Sequence, residues 1–104
     1  MTIAIDFDNT ITADAELWAH FIRCAFRTRG DQLIICTLRH PRQGDAVERF
    51  CDDLGVEVPV VYTCNQTPKS NVCLLAGYSV DVWIDDSPQF CCPPPIAQGK
   101  DEDL

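Results

Sequence analysis

Four short apolar runs, rich in β-branched residues, alternate along the chain with longer amphipathic stretches. Thr2 to Asp6, Gln32 to Thr37, Val58 to Tyr62 and Val80 to Ile84 are predicted strands. Each is short and continuously apolar, the pattern of a strand covered on both faces. Pro59 lacks an N–H donor and places the third strand at a sheet edge. Three helices are predicted between them. The first spans about Ala13 to Arg29, with Leu17, Trp18, Phe21, Ile22, Ala25 and Phe26 on one broad face. The second spans about Arg42 to Leu54, with Ala46, Val47, Phe50, Cys51 and Leu54 at helical spacing. The third spans about Pro68 to Ala76, with Thr67 as N-cap and Pro68 at the first helical position. Gly30, Gly55 and Gly77 follow the three segments, where a left-handed residue ends a helix.

Alternating strands and helices imply an α/β fold with a parallel sheet and right-handed crossovers. Ligands then bind at the carboxyl ends of the strands. Residues 1–88 form the expected core, and 89–104 read as a proline-rich, then acidic, irregular tail touching the surface through Phe90 and Ile96. At 104 residues the chain has the length of one domain.

Composition narrows the classes. The content of 46% hydrophobic and 23% charged residues is globular, and no run approaches the roughly 18 apolar residues that span a bilayer. The start lacks the basic and long apolar regions of a signal peptide, so a soluble, cytoplasmic protein is expected. Seven cysteines without C-x-x-C spacing argue against a zinc or thioredoxin-like site. Cys36, Cys51, Cys64 and Cys73 lie in or beside apolar stretches and are expected to pack as small hydrophobes, leaving the adjacent Cys91 and Cys92 unassigned. A net charge of −8 disfavours extended nucleic-acid binding.

The chemistry gathers at the strand ends. The first strand runs into Asp6-Phe7-Asp8-Asn9-Thr10, the second ends in Thr37, the fourth runs into Asp85-Asp86, and Lys69 begins the third helix. Carboxylates brought this close repel one another, and a divalent cation relieves the repulsion. Oxygen ligands without histidine or thiolate favour Mg²⁺. Taken singly, each piece has a plain structural meaning: a solvated turn, a strand threonine, a surface lysine. Their order along the chain gives them weight as a set.

That order resembles the haloacid dehalogenase (HAD) superfamily, from Ile3 to Pro88: DFDNT, a threonine ending the second strand, a lysine, then an acidic pair. The resemblance implies a Rossmannoid three-layer sandwich with a short parallel sheet of about four strands. Asp6 would be the nucleophile, forming an aspartyl-phosphate. Asp8 would be the general acid and base. Asp6, the Asp8 backbone carbonyl and Asp85 would hold Mg²⁺, with Asp86 ligating directly or one step removed. Thr37, Lys69 and Arg39 would bind phosphate, and Thr10 would brace the nucleophile loop. The second aspartate marks the phosphatase branch. One helix between the first two strands, and one helix and one strand between Thr37 and Lys69, leave no room for the family's usual cap domain. Capless members act on large substrates or borrow a lid from a second copy of the chain. The usual fifth strand is missing or poorly supplied by the tail.

Arg39, His40 and Arg42 follow Thr37 and form a positive rim on a negative protein, suited to a second anionic group. Arg23, Arg27 and Arg29 read as a solvated stripe, and Trp18 as core packing in preference to a stacking platform. The substrate is expected to be a small phosphorylated molecule, a nucleotide or sugar phosphate, with a nucleic-acid terminal phosphate also open. The alternative is a non-catalytic phosphate- or Mg²⁺-binding module of the same fold. A response-regulator receiver domain carries its acidic pair on the first strand, which is the wrong order, and phosphotransferases or mutases usually need a cap.

Overall fold

In the computed structural model the described residues are 1–28 and 31–93. Among them the chain forms strands β1 (Thr2–Ile5), β2 (Gln32–Thr37), β3 (Val60–Tyr62) and β4 (Val82–Ile84), and helices α1 (Ala15–Thr28), α2 (Asp45–Leu54) and α3 (Lys69–Leu75). The four strands make one sheet in the order β3-β2-β1-β4, every pair parallel. This is a small Rossmann-like α/β fold. The chain moves outward from β1 through β2 to β3, then crosses back to place β4 on the other side of β1. Strand order reverses at β1, and the crevice beside such a reversal is where α/β sheets bind ligands.

Residues alternate between the two faces of the sheet. Ile5, Leu33 and Ile35 pack with Ile22 of α1 and with Val47 and Leu54 of α2. Ala4, Ile34, Cys36 and Val61 pack with Cys73 of α3, and Val72, Tyr78 and Trp83 complete that side. Two helices therefore cover one face and one short helix the other.

Several element boundaries differ from the sequence expectation. Strand β3 starts at Val60, after Pro59, whose carbonyl accepts from the Ile35 N–H at 2.9 Å. It is an edge strand as expected. Helix α1 starts at Ala15, where the carboxylate of Asp14 accepts from the Leu17 N–H at 3.2 Å and satisfies a free helical donor. Its apolar stripe is wider than its contact: Ile22 is buried, but Leu17 and Phe26 are exposed. Trp18 packs against the core, edge-on to Phe21 at 5.7 Å between ring centroids.

Residues 41–43 form a separate 3-10 turn capped by His40, whose Nδ1 accepts from the Arg42 N–H at 3.2 Å. Helix α2 begins only after Gly44, where a Cβ would stand 2.5 Å from the Tyr62 hydroxyl oxygen. Its end matches expectation, with Gly55 at φ 78°. There Arg23 corrects its assignment to a solvated stripe: Nε donates to the Leu54 carbonyl at 2.8 Å and Nη2 to that of Asp53 at 2.9 Å. The guanidinium thus satisfies carbonyls at the end of α2. Arg29, Gly30 and the side chain of Arg27 lie outside the described residues.

Helix α3 starts at Lys69, one residue later than expected. Pro68 takes the capping position after a cis Thr67–Pro68 bond, and Thr67 caps nothing. The Ser70 N–H instead donates to the Cys91 carbonyl at 2.8 Å. That contact carries the packed structure past residue 88: Pro88–Phe90 is a 3-10 turn and Cys91 is buried. Residues 94–104, including Ile96 and the acidic segment, lie outside the described residues. Cys36 and Cys73 are buried, as expected of small hydrophobes, whereas Cys64 is exposed at the tip of a turn with φ 56°. No helix among the described residues is long and apolar enough to cross a membrane.

Candidate active site

The site stands at the strand reversal. The ladder between β1 and β4 continues one step past β1, with the Asp6 N–H donating to the Ile84 carbonyl at 2.9 Å. This fixes Asp6 at the carboxyl end of β1 beside Asp85 at the end of β4. The following turn, Phe7–Ile11, includes Asn9 at φ 64°, a left-handed conformation that asparagine tolerates. The turn folds Thr10 back so that its hydroxyl donates to Asp6 Oδ2 at 3.2 Å, the bracing expected of it.

Alternation continues beyond the strand ends. Ile5 and Ile84 face α1 and α2, so Asp6 and Asp85 face α3. Lys69, the first residue of α3, meets them there. Its Nζ donates to Asp6 Oδ1 at 2.8 Å, to Asp85 Oδ2 at 2.6 Å and to the Cys36 carbonyl at 3.2 Å. The Lys69 side chain is only 2% exposed. Asp85 is further fixed by the Ser87 N–H, which donates to its Oδ1 at 2.8 Å.

Burial dominates the titration of Asp6. It pushes the carboxyl up to about 6, although the hydrogen bond and charge of Lys69 pull the other way. Burial also works against the Lys69 ammonium, but its bonds to Asp6 and Asp85 outweigh that and hold it above the ordinary lysine value. Burial and the neighbouring Asp85 likewise push the Cys91 thiol up to about 12.

Asp6, Asp85 and Asp86 each offer a carboxylate oxygen, and the three lie within 4.8 Å of one another. Such an all-oxygen donor set suits a hard divalent cation. The Asp8 carboxylate stands apart from this group, held by Arg39: Nε donates to Oδ2 at 3.0 Å and Nη2 to Oδ1 at 2.7 Å. Beside the acidic group lies a cavity of about 110 Å³ lined by Asp6, Asp8, Asn9, Lys69, Asp85 and Asp86, with Leu38, Ser87 and Phe90 at its wall.

The expected residues thus divide. Asp6, Asp8, Lys69, Asp85 and Asp86 come together around the cavity. Thr37 and Arg39 do not line it. Thr37 is fully buried, on the sheet face opposite to Asp6 by alternation, and its Oγ1 accepts from the Arg39 N–H at 3.2 Å. A cavity of about 290 Å³ adjoins the site cavity and shares Asn9, Asp85 and Asp86, whereas one of about 500 Å³ between the end of α2 and the start of β3 gathers no comparable chemistry.

Asn9, Leu38, Ser87 and Phe90 carried no sequence signal as lining residues. Thr63 was also missed: among the described residues its Oγ1 is the one buried side-chain oxygen or nitrogen without a partner. Its place just past β3, at the same edge as Thr37, is the only hint the chain offers.

Fold and site together define a Rossmann-like α/β protein with an acidic, lysine-bridged centre at the strand reversal. Compared with protein-family models, with curated proteins and with solved structures, the chain matches none.

Proposed function

We propose that this protein is a Mg²⁺-dependent phosphomonoester hydrolase of the HAD type, working through an aspartyl-phosphate on Asp6. The supporting observation is the placement of Asp6: buried at the end of β1, bonded to Lys69 and Thr10, and within 4.8 Å of oxygens from Asp85 and Asp86. The cation, held by Asp6, Asp85 and Asp86, would offset negative charge on the phosphoryl group. The order of DFDNT, Thr37, Lys69 and Asp85-Asp86 along the chain supports the family resemblance.

Asp6, as the carboxylate, attacks phosphorus while Asp8 protonates the leaving oxygen. Asp8 then removes a proton from water, which displaces Asp6 from phosphorus and releases phosphate. Lys69 stays on Asp6 and Asp85 and limits repulsion between them. The cavity beside the carboxylates is small, about 110 Å³, and suits a phosphoryl group, with the leaving group extending outside it. Nucleotides, sugar phosphates and terminal phosphates of nucleic acids all fit that description. A reducing, cytoplasmic setting goes with the buried thiols of Cys36, Cys73 and Cys91.

Phosphate release from a panel of these esters, with Mg²⁺ and with EDTA, tests the proposal. Turnover is expected with Mg²⁺ only, and Asp6→Asn is expected to reduce it by at least about 10³-fold. A folded protein that binds Mg²⁺ yet releases no phosphate from any ester would point to the binding-module alternative.

A further inference from the structure

Asp8 is held in a two-point ion pair in the observed arrangement. Each of its oxygens accepts one bond from the Arg39 guanidinium, at 2.7 and 3.0 Å, so the carboxylate is held in one orientation and half of its accepting capacity is taken. Arg39 is itself steadied from two other sides. Its Nη1 donates to the Gln43 carbonyl at 2.7 Å, and its guanidinium carbon lies 5.2 Å from the centroid of the Phe7 ring.

We infer that Arg39 is a specificity-determining latch: a substrate carrying a second anionic group draws its guanidinium off Asp8, and the released carboxylate takes up a proton from solvent and passes it to the leaving oxygen. The inference rests on the phosphatase proposal above and names its substrate class, a phosphomonoester bearing a second phosphate or carboxylate.

Three observations support it. The pair is open to solutes, with 28% of the Arg39 and 45% of the Asp8 side chain exposed, so little free energy holds it closed. The planar fork of arginine matches carboxylate and phosphate alike, so exchanging Asp8 for a substrate anion conserves two charge-assisted bonds. The surroundings also leave a second anion few other places to bind. The cavity wall carries Asp6, Asp8, Asp85 and Asp86, and Lys69 is committed to two of them. Positive charge at the rim lies on the Arg39 side, where Arg42 stands exposed in the 3-10 turn. During the exchange the Gln43 carbonyl and Phe7 ring keep the guanidinium at the edge of the site.

Matched substrates provide the test. Glycerol 3-phosphate and 3-phosphoglycerate differ in the second anion, and adenosine 5′-monophosphate and adenosine 3′,5′-bisphosphate widen the distance between anions. With Mg²⁺ present, the wild type is expected to favour the doubly anionic member of at least one pair by about tenfold or more, with a gap in kcat as well as KM. Arg39→Gln is expected to shrink the kcat gap to about twofold or less and to raise kcat on the singly anionic ester. Arg39→Lys, which keeps the charge but not the fork, is expected to lose the kcat gap while retaining part of the KM difference.

Equal wild-type turnover within both pairs would overturn the latch and leave the phosphatase proposal standing. So would an Arg39→Gln variant that slows both members of a pair equally, because Arg39 would then only support its loop. No phosphate release from any of the four esters or from p-nitrophenyl phosphate would overturn both proposals.

Discussion

On one face of the sheet Ile5, Leu33 and Ile35 meet Ile22, Val47 and Leu54 from two helices; on the other, Ala4, Ile34 and Cys36 meet Cys73 from a single short helix. The first face is an aliphatic core of branched side chains. The second has fewer buried side chains, with the small Ala4, Cys36 and Cys73 among them and Tyr78 and Trp83 only partly buried at its margin. The Cys36 and Cys73 sulfurs stand 3.5 Å apart, and the buried Lys69 lies at the carboxyl edge of this face. Large side chains there would occupy the volume through which Lys69 reaches Asp6, Asp85 and the Cys36 carbonyl. The thinner face depends on charge pairing where the thicker one depends on apolar area, so the site and the weaker core share one side of the sheet.

The contrast is open to attack from both sides. Lys69→Met should have the largest effect. It leaves Asp6 and Asp85 without their shared cation, and urea unfolding in metal-free buffer should show a loss of about 3–5 kcal/mol. Adding Asp6→Asn to that variant should recover part of the loss, because the two changes touch one network. On the aliphatic face Ile35→Ala should cost about 3 kcal/mol, whereas Cys73→Ala on the thinner face should cost about 1 kcal/mol. Equal losses for those two would dissolve the distinction between the faces.

An effect of order 2 kcal/mol, smaller than that of Lys69→Met, should follow from pH. The Asp6 carboxyl titrates near 6 in the folded protein against 3.8 as the ordinary value, so between those limits the folded state holds the extra proton. Its contribution to stability therefore falls as pH rises from about 4 to 6 and returns on acidification. In metal-free buffer, unfolding curves across that range should show this slope in the wild type, and Asp6→Asn should flatten it.

Much of the fold was legible because local pattern and burial agree. Gln32–Thr37 was bounded to the residue, since an uninterrupted apolar run flanked by polar residues fits a central strand with both faces covered. Gly55 and Gly77, at φ 78° and 97°, ended their helices as composition suggested. The shifted boundaries trace to interactions that sequence proximity hides. Thr67 looks like a cap for α3, yet the donor of Ser70 is satisfied by Cys91, from beyond the last strand. The stripe of α1 looks fully apolar, but only part of it finds a neighbour, and Leu17 stays exposed.

The site divides in the same way. Asp6, Lys69 and Asp85 were readable because strand ends and a helix start place them with little freedom. The roles of Arg23 and Arg39 were not, because a long flexible side chain can reach several partners and the sequence does not say which. Arg39 meets Asp8 across 31 positions of chain, and Arg23 meets Leu54 across another 31.

The neighbour relation between β1 and β4 also sets an order in time. The Thr2 N–H bonds the Asp81 carboxylate at 2.8 Å across 79 positions, and Asp6 meets Lys69 across 63. On a translating ribosome the strand bearing Asp6 emerges well before β4, and its second neighbour is made only after the intervening segments have followed. Until then one edge of β1 stands unpaired, a template for unwanted strand addition and a natural client surface for chaperones. Asp6 gains both Lys69 and Asp85 only when β4 docks. A nascent chain halted before β4 therefore carries Asp6 without the Asp85 that completes the charge-balanced centre.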